Sequence, residues 1–409
     1  MFARWIKIWM LILLFVPLGV RAQSIYSRVG VGDITLPQSS RAQGLGMYGI
    51  ATADYNQISL INPANWYLPR LTAITMKVNS SRYTNSLGGM TDQFGFDGFN
   101  FHFPVGQSIG FGLGFAPYST VRYDFARTDS VPIAGTGTGE NIRYNLHQQG
   151  RGGVGGNFIG LGVRVSDHVS LGAAFSFLIG EISTRRTLEV TSASYLSRRV
   201  LSSTHIYGDN MVLGLYLSNI FREQEHLGFR TEIPLSLLVR REDDYYTGNP
   251  VQTEFTNLLW PWEFGVGYET QIRNRWIAVA EGNMWMSEKD LSILSLHQTG
   301  YTQKNGLEIG VGVERRPDFS VPGWGDHLSW RLGMNWRQYL TADPAGNHTT
   351  GMKWVGGVGV PFGRGPLGPG TDRLDISLFY LRRAPADASD PVESAIGLQL
   401  GFTVSEVWF

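Results

Sequence analysis

From about residue 71 onward, apolar and polar side chains alternate in short runs separated by polar, Gly-rich connections. Period-two alternation marks a β-strand with unlike faces, and a strand that crosses a membrane needs about 9 to 11 residues. Fourteen segments qualify, near residues 71–79, 94–104, 108–118, 153–165, 168–182, 201–217, 228–241, 255–270, 275–286, 305–315, 327–339, 353–363, 372–383 and 394–404. In the clearest, Leu328, Trp330, Leu332, Met334 and Trp336 alternate with Ser329, Arg331, Gly333, Asn335 and Arg337. Likewise Ile309, Val311 and Val313 oppose Glu308, Gly310, Gly312 and Glu314, and Phe264, Val266 and Tyr268 oppose Glu263, Gly265, Gly267 and Glu269. One face suits lipid and the other an enclosed lumen. The pattern predicts an all-β fold, a transmembrane antiparallel β-barrel of about 14 strands.

Connection lengths supply a second test, because outer-membrane barrels have short periplasmic turns and longer outer loops. Val105-Gly106-Gln107, Ser166-Asp167 and Gln271-Ile272-Arg273-Asn274 are short, whereas 119–152, 183–200, 242–254 and 287–304 are long and mostly polar. Both barrel ends then fall on the periplasmic side. Trp260, Trp262, Trp276, Trp285, Trp330, Trp336 and Trp354 lie near expected strand ends, where indole can keep its N–H wet, and predict an aromatic girdle. A half-buried soluble sheet would share the period but leave that girdle unexplained. Pro117 and Pro261 cannot donate ladder hydrogen bonds, so each marks a break, a bulge or a strand end. In the last segment Ile396, Leu398, Leu400, Phe402 and Val404 share a parity that Val407 and the terminal Phe409 do not. Either a bulge near Ser405 or departure of the last residues from the wall is expected.

Ahead of the strands stands SSRAQGLGMYGIATADYNQISLINPANW, residues 39–66, too short and too rich in Gly and Asn for a domain of its own. Ser40-Arg41-Ala42, Gly44, Gly46, Gly49, Ala51, Ala53-Asp54 and Asn62-Pro63-Ala64 resemble the N-terminal hatch of the FadL-type long-chain fatty acid transport family. Residues 26–33 and Ala116-Pro117-Tyr118-Ser119 resemble features of a FadL-like branch from Bacteroidetes-type bacteria. The same tripeptide occurs in barrels similar to the PorV and PorP proteins of type IX secretion. The resemblance implies a plug inside the lumen carrying Asn62, Pro63 and Ala64, and a kink in the third strand that opens the wall sideways, here at Pro117. The domain expectation is a signal peptide at 1–22, a plug segment at 23–70 and a barrel at 71–409.

Arg4 and Lys7, an apolar run over residues 8–20, and Val20-Arg21-Ala22 read as a secretory signal cut after Ala22. The apolar run has 13 residues, whereas a spanning helix needs roughly 20. The signal holds three of the 34 basic residues, leaving 31 against 34 acidic ones, so nucleic acid is not an expected partner. No cysteine is present, which excludes a lipidated cleavage site, disulfides and thiolate metal sites.

Candidate chemistry lies on the inward face. Glu308 and Glu314 on one strand and Arg331 and Arg337 on the next would be satisfied across the pair, bracing the wall or meeting the head group of an amphiphile. Glycines at 110, 112, 114, 160, 162, 310, 312, 357 and 359 make room for the plug or for a ligand. The eight histidines are scattered, with His102 and His168 expected in the lumen or a turn. Gly152-Gly153-Val154-Gly155-Gly156 lacks a phosphate-loop Lys and reads as a loop-to-strand junction, and no Ser sits in a Gly-x-Ser-x-Gly elbow. Neither an enzyme, a cofactor nor a metal is expected. The sequence therefore predicts a monomeric facilitator in the bacterial outer membrane for hydrophobic or amphiphilic molecules such as long-chain fatty acids, contacting membrane lipid and, during biogenesis, the barrel-assembly machinery. The alternative is a PorV-like interaction protein of type IX secretion.

Overall fold

A computed structural model describes residues 24–86, 89–132, 141–190, 197–245, 250–256, 258–294, 301–362, 364–365, 368–369, 371–387 and 390–407. The expected signal and Phe409 lie outside the described residues.

Fourteen strands close into one antiparallel barrel: β1 Thr72–Asn85, β2 Met90–Val105, β3 Ile109–Pro132, β4 Asn141–Arg164, β5 Val169–Val190, β6 Arg198–Ser218 and β7 Glu225–Asp244. They continue with β8 Trp262–Arg273, β9 Trp276–Met286, β10 Gly306–Arg315, β11 Ser329–Ala342, β12 His348–Pro361, β13 Arg373–Ala384 and β14 Glu393–Glu406. Each pairs with its successor, and β14 returns to β1 from Glu393↔Asn85 to Glu406↔Thr72. Closure removes the sheet edges that lipid could not satisfy. Both barrel ends share one rim, the periplasmic one.

The alternation does what its period requires. On β11, Leu332 is 64% exposed while Arg331 is 4% exposed, and Ile309, Val311, Leu378 and Ile396 likewise face outward. An apolar band around a polar lumen places the chain in the bacterial outer membrane. Among the described residues no helix is long and apolar enough to cross a membrane.

Several expectations need correction. β3 does not stop at Tyr118 but continues to Pro132, because a register shift between Pro117 and Ser119 lets the strand pass the proline. Pro261 precedes β8, so the expected eighth segment at 255–270 starts only at Trp262, and residues 251–254 of the expected long connection join Phe255 in the strand Val251–Phe255, which pairs with β7. The glycine-rich run at 152–156 lies within β4 rather than at its start. Trp276, Trp330 and Trp354 face outward as a girdle demands, but Trp260 and Trp285 are buried in an inner cluster with Ile34, Tyr118, Ile206 and Val239. Their parity explains it: Trp285 shares the inward face of Glu281 and Asn283. At the C-terminus, Ser405 and Glu406 stay in register with Ala73 and Thr72, so Val407 is the first residue to leave the wall.

Residues 24–71 run along the inner face of the wall. Ser39 caps a short helix, Ser40–Gly44, by accepting from the Ala42 amide at 3.2 Å, and Gly46 at φ +68° turns the chain after it. Asn62 opens the turn Pro63–Asn65 in the same way, accepting from the Ala64 amide at 3.1 Å, with proline where no N–H is needed.

Candidate functional site: the lumen and the break beside Pro117

Glycine rows in the wall receive the N-terminal segment. Gly110, Gly162, Gly172 and Gly214 are consecutive register partners across β3 to β6. A Cβ on these would stand 1.8 Å from the Trp66 carbonyl oxygen, 2.3 Å and 2.2 Å from the Pro63 carbonyl, and 2.1 Å from Asn62 Oδ1. Asn62, Pro63 and Ala64 thus rest in a groove that any side chain would fill. Asn62 Nδ2 also donates to the Ile50 carbonyl at 2.8 Å and to the wall carbonyl of Leu215 at 3.4 Å. Elsewhere on the wall a Cβ on Gly333 would stand 1.8 Å from the Leu45 carbonyl oxygen, and one on Gly228 2.2 Å from that of Ile50. His102 is buried with Nε2 2.8 Å from the Trp66 carbonyl oxygen, where the segment leaves for β1. His168 lies in a turn, Nδ1 3.0 Å from the Ser218 carbonyl oxygen.

Eight charges form one chain of contacts through segment and wall. Glu314 faces Arg331, and Glu308 faces Arg337, as register partners. Arg331 Nε donates to Glu314 at 2.8 Å, and Glu314 also accepts from Arg41 Nε at 2.6 Å. Arg41 reaches Glu269 at 3.3 Å, which Arg316 approaches at 3.2 Å. From Arg331 the chain passes to Asp375, then to Arg373 at 2.9 Å and to Asp54 at 3.0 Å. Four guanidiniums face four carboxylates, so no charge of this network is stranded in a low-dielectric interior. Glu281 is held differently, accepting backbone amides of Tyr48, Gly49 and Ile50 at 2.9, 3.0 and 2.7 Å. The sequence reading missed Glu281, Asp375 and Arg373, although all three show inward parity. Arg41 and Asp54 stand in the hatch-like motif, yet nothing local reveals their wall partners.

Arg331 is enclosed by this network. Arg337 is not: it contacts Glu308 at 3.7 Å, donates to the Ile34 carbonyl at 2.8 Å, lies over Trp285, and borders a cavity of about 410 Å³.

That cavity lies against a gap in the strand pairing. The β2–β3 ladder ends at Phe99↔Phe115, beyond which β2 pairs only with β1. On its other side β3 shifts register at Pro117. Phe94, Phe96 and Asp97 of β2 and Ala116, Pro117 and Thr120 of β3 line the cavity, and Phe96 is half exposed and stacks on Phe115 with centroids 6.3 Å apart. The N-terminal segment crosses the gap: Asp33 and Ile34 pair with Thr120 and Ser119, and the Thr35 amide donates to the Tyr118 carbonyl at 2.9 Å. At the outer rim Arg28 meets Asp390 at 2.8 Å and Ser24 donates to Glu393 at 2.7 Å.

A family profile described as BamG matches residues 4–409. The chain belongs to the BamG family. Solved structures resembling this BamG-family chain include a Pseudomonas aeruginosa FadL homologue, with 13% identity, TM-score 0.58 and 93% of this chain covering 100% of that one. The CymD monoaromatic hydrocarbon channel shares 13% identity at TM-score 0.55, over 94% of this chain and 99% of that one. The Ralstonia pickettii toluene transporter TbuX shares 15% identity at TM-score 0.55, over 95% and 99%. These likenesses establish a FadL-like barrel fold for the BamG-family chain. No curated protein matches it.

Proposed function

We propose that this BamG-family barrel is a passive channel for hydrophobic or amphiphilic small molecules such as long-chain fatty acids, with residues 23–70 as its plug, a leader removed before them, and no catalytic role. The observation that carries this reading is the broken ladder at Pro117 beside a lumen cavity, which gives an apolar tail a sideways path into lipid. Similarity in fold to the monoaromatic hydrocarbon channel CymD and the toluene transporter TbuX supports it. The solute enters the cavity, the strap at 33–38 gives way, and the tail leaves between β2 and β3. Arg337 is the charge best placed to meet a head group. A cysteine-free chain allows a clean test, because Ile34 and Ser119 are register partners. In an Ile34→Cys, Ser119→Cys variant, uptake of a fluorescent fatty acid should fall at least tenfold on oxidation and recover on reduction. Wild-type uptake by the oxidised form would remove the Pro117 route.

A second reading has two supports: the family name hints at the barrel-assembly machinery, and much of the lumen is filled. There the barrel would serve as a membrane-anchored partner in that assembly. Nothing in the comparisons favours the type IX secretion alternative.

A further inference from the structure

The cavity beside Pro117 is lined by more charge than its ion pairs account for. Arg337 has Glu308 at 3.7 Å and Arg383 has Asp33 at 3.0 Å and, behind the lining, Glu393 at 3.7 Å, leaving Lys77, Arg122, Lys353 and Asp97 as the other charged residues on the cavity wall. Among the described residues, none of these four is within ion-pair distance of an opposite charge. Lys77 is buried and its ammonium donates only to the Gln38 carbonyl. Lys353 Nζ stands 4.8 Å above the Phe379 ring. Arg122 is fixed through its backbone amide, which donates to Ser27 Oγ at 3.1 Å, while among the described residues its guanidinium meets no hydrogen-bond acceptor or carboxylate. Asp97 accepts amide hydrogens from Gln43 at 3.0 Å and from Asn79.

Three lone cations against one lone carboxylate leave two positive charges uncompensated in a partly enclosed space. Elsewhere in this lumen every Arg of the long network is matched to a carboxylate, so the imbalance is local to the cavity. Holding unpaired charge out of bulk water is costly, and an anion that completes the set recovers that cost. Two surplus charges suit a dianion better than a single carboxylate, and Phe94 and Phe96 beside the gap offer apolar contact to whatever the anion is attached to.

The geometry points to a binding site for a phosphate monoester, held by Lys77, Arg122 and Lys353. This rests on the cavity described above but not on passage through it, since the site binds whether or not the strap moves. A phosphorylated lipid would reach it through the gap, and a soluble phosphate through the outer mouth.

Native mass spectrometry and competition binding on the purified full-length barrel, with phosphatidic acid, palmitate and inorganic phosphate as probes, test it. Phosphatidic acid should bind at least tenfold more tightly than palmitate, and K77Q/R122Q/K353Q should lose that preference. Because Lys77 is buried, R122Q/K353Q serves as a second variant, with heat-modifiable gel migration showing that each is folded; it should weaken phosphatidic acid binding several-fold. Competition by inorganic phosphate at the lipid's own affinity would support the site and name the soluble source; no competition would support it and name the lipid. Unchanged binding in both folded variants, or palmitate binding as tightly as phosphatidic acid, would overturn it. Retained phosphatidic acid binding together with absent fatty acid uptake would sink the channel reading alone.

Discussion

Arg41 is the residue on which the N-terminal segment turns from passive filling into part of the wall. Its guanidinium joins Glu314 and Glu269, from strands β10 and β8, and also donates to the Ala53 carbonyl at 3.0 Å. Arg41→Met would leave two buried carboxylates short of a cation, and removing one partner of a buried pair costs roughly 3–5 kcal/mol. Urea denaturation in detergent should register that loss, together with protease cleavage near residues 40–60; an unchanged midpoint would mean the network is not coupled to seating. The inward parity of Glu308, Glu314, Arg331 and Arg337 was legible because it depends only on neighbours along a strand. Arg41 meeting Glu314 was not, since 273 positions separate them and no local pattern records such a meeting.

At the scale of elements, periodicity located the strands well, and failed where a strand changes face. β3 illustrates the failure. Its bulge at Tyr118 moves the inward set from Gly114 and Ala116 to Ser119 and Val121, so a reader counting alternation stops at Pro117. Trp260 and Trp285 were misplaced for a related reason: proximity to a strand end says nothing about which side the ring takes. The connection between β10 and β11 gives a testable element-level property outside the membrane. Asp326 accepts hydrogen bonds from Arg275 at 2.9 Å and from Arg315, and these hold its carboxyl below the ordinary range. A lowered folded value means the stabilisation is present above the ordinary carboxylate pKa and fades as pH falls through the folded one. Amide hydrogen exchange across 316–328 should therefore quicken on acidification below about pH 4 once corrected for intrinsic rates, and Asp326→Asn should exchange fast already at pH 7. A loop equally protected at both pH values would discount the lock.

For the whole molecule, the lipid-facing band is what fixes its place in the membrane, and the sequence carried nearly all of it. Leu332 stands in that band with the highest exposure on β11. Leu332→Arg should cost about 2–4 kcal/mol if the position lies near the bilayer midplane. An arginine at Glu288, exposed in the outer connection after β9, should cost almost nothing, and comparing the two in folding titrations into lipid vesicles measures the depth directly.

The route of residues 24–71 sets an order of events. Ser24 and Arg28 are tied at the outer rim, while Thr72 starts β1 at the opposite rim. The segment therefore traverses the pore lengthwise, touching β1 and β2 as well as β13 and β14 on its way. A cylinder zipped shut beforehand would have to be threaded like a needle, past grooves with no clearance for a methyl group. It is simpler for the curved sheet to gather around the segment as a mould around its casting, with the β14–β1 seam the last to join.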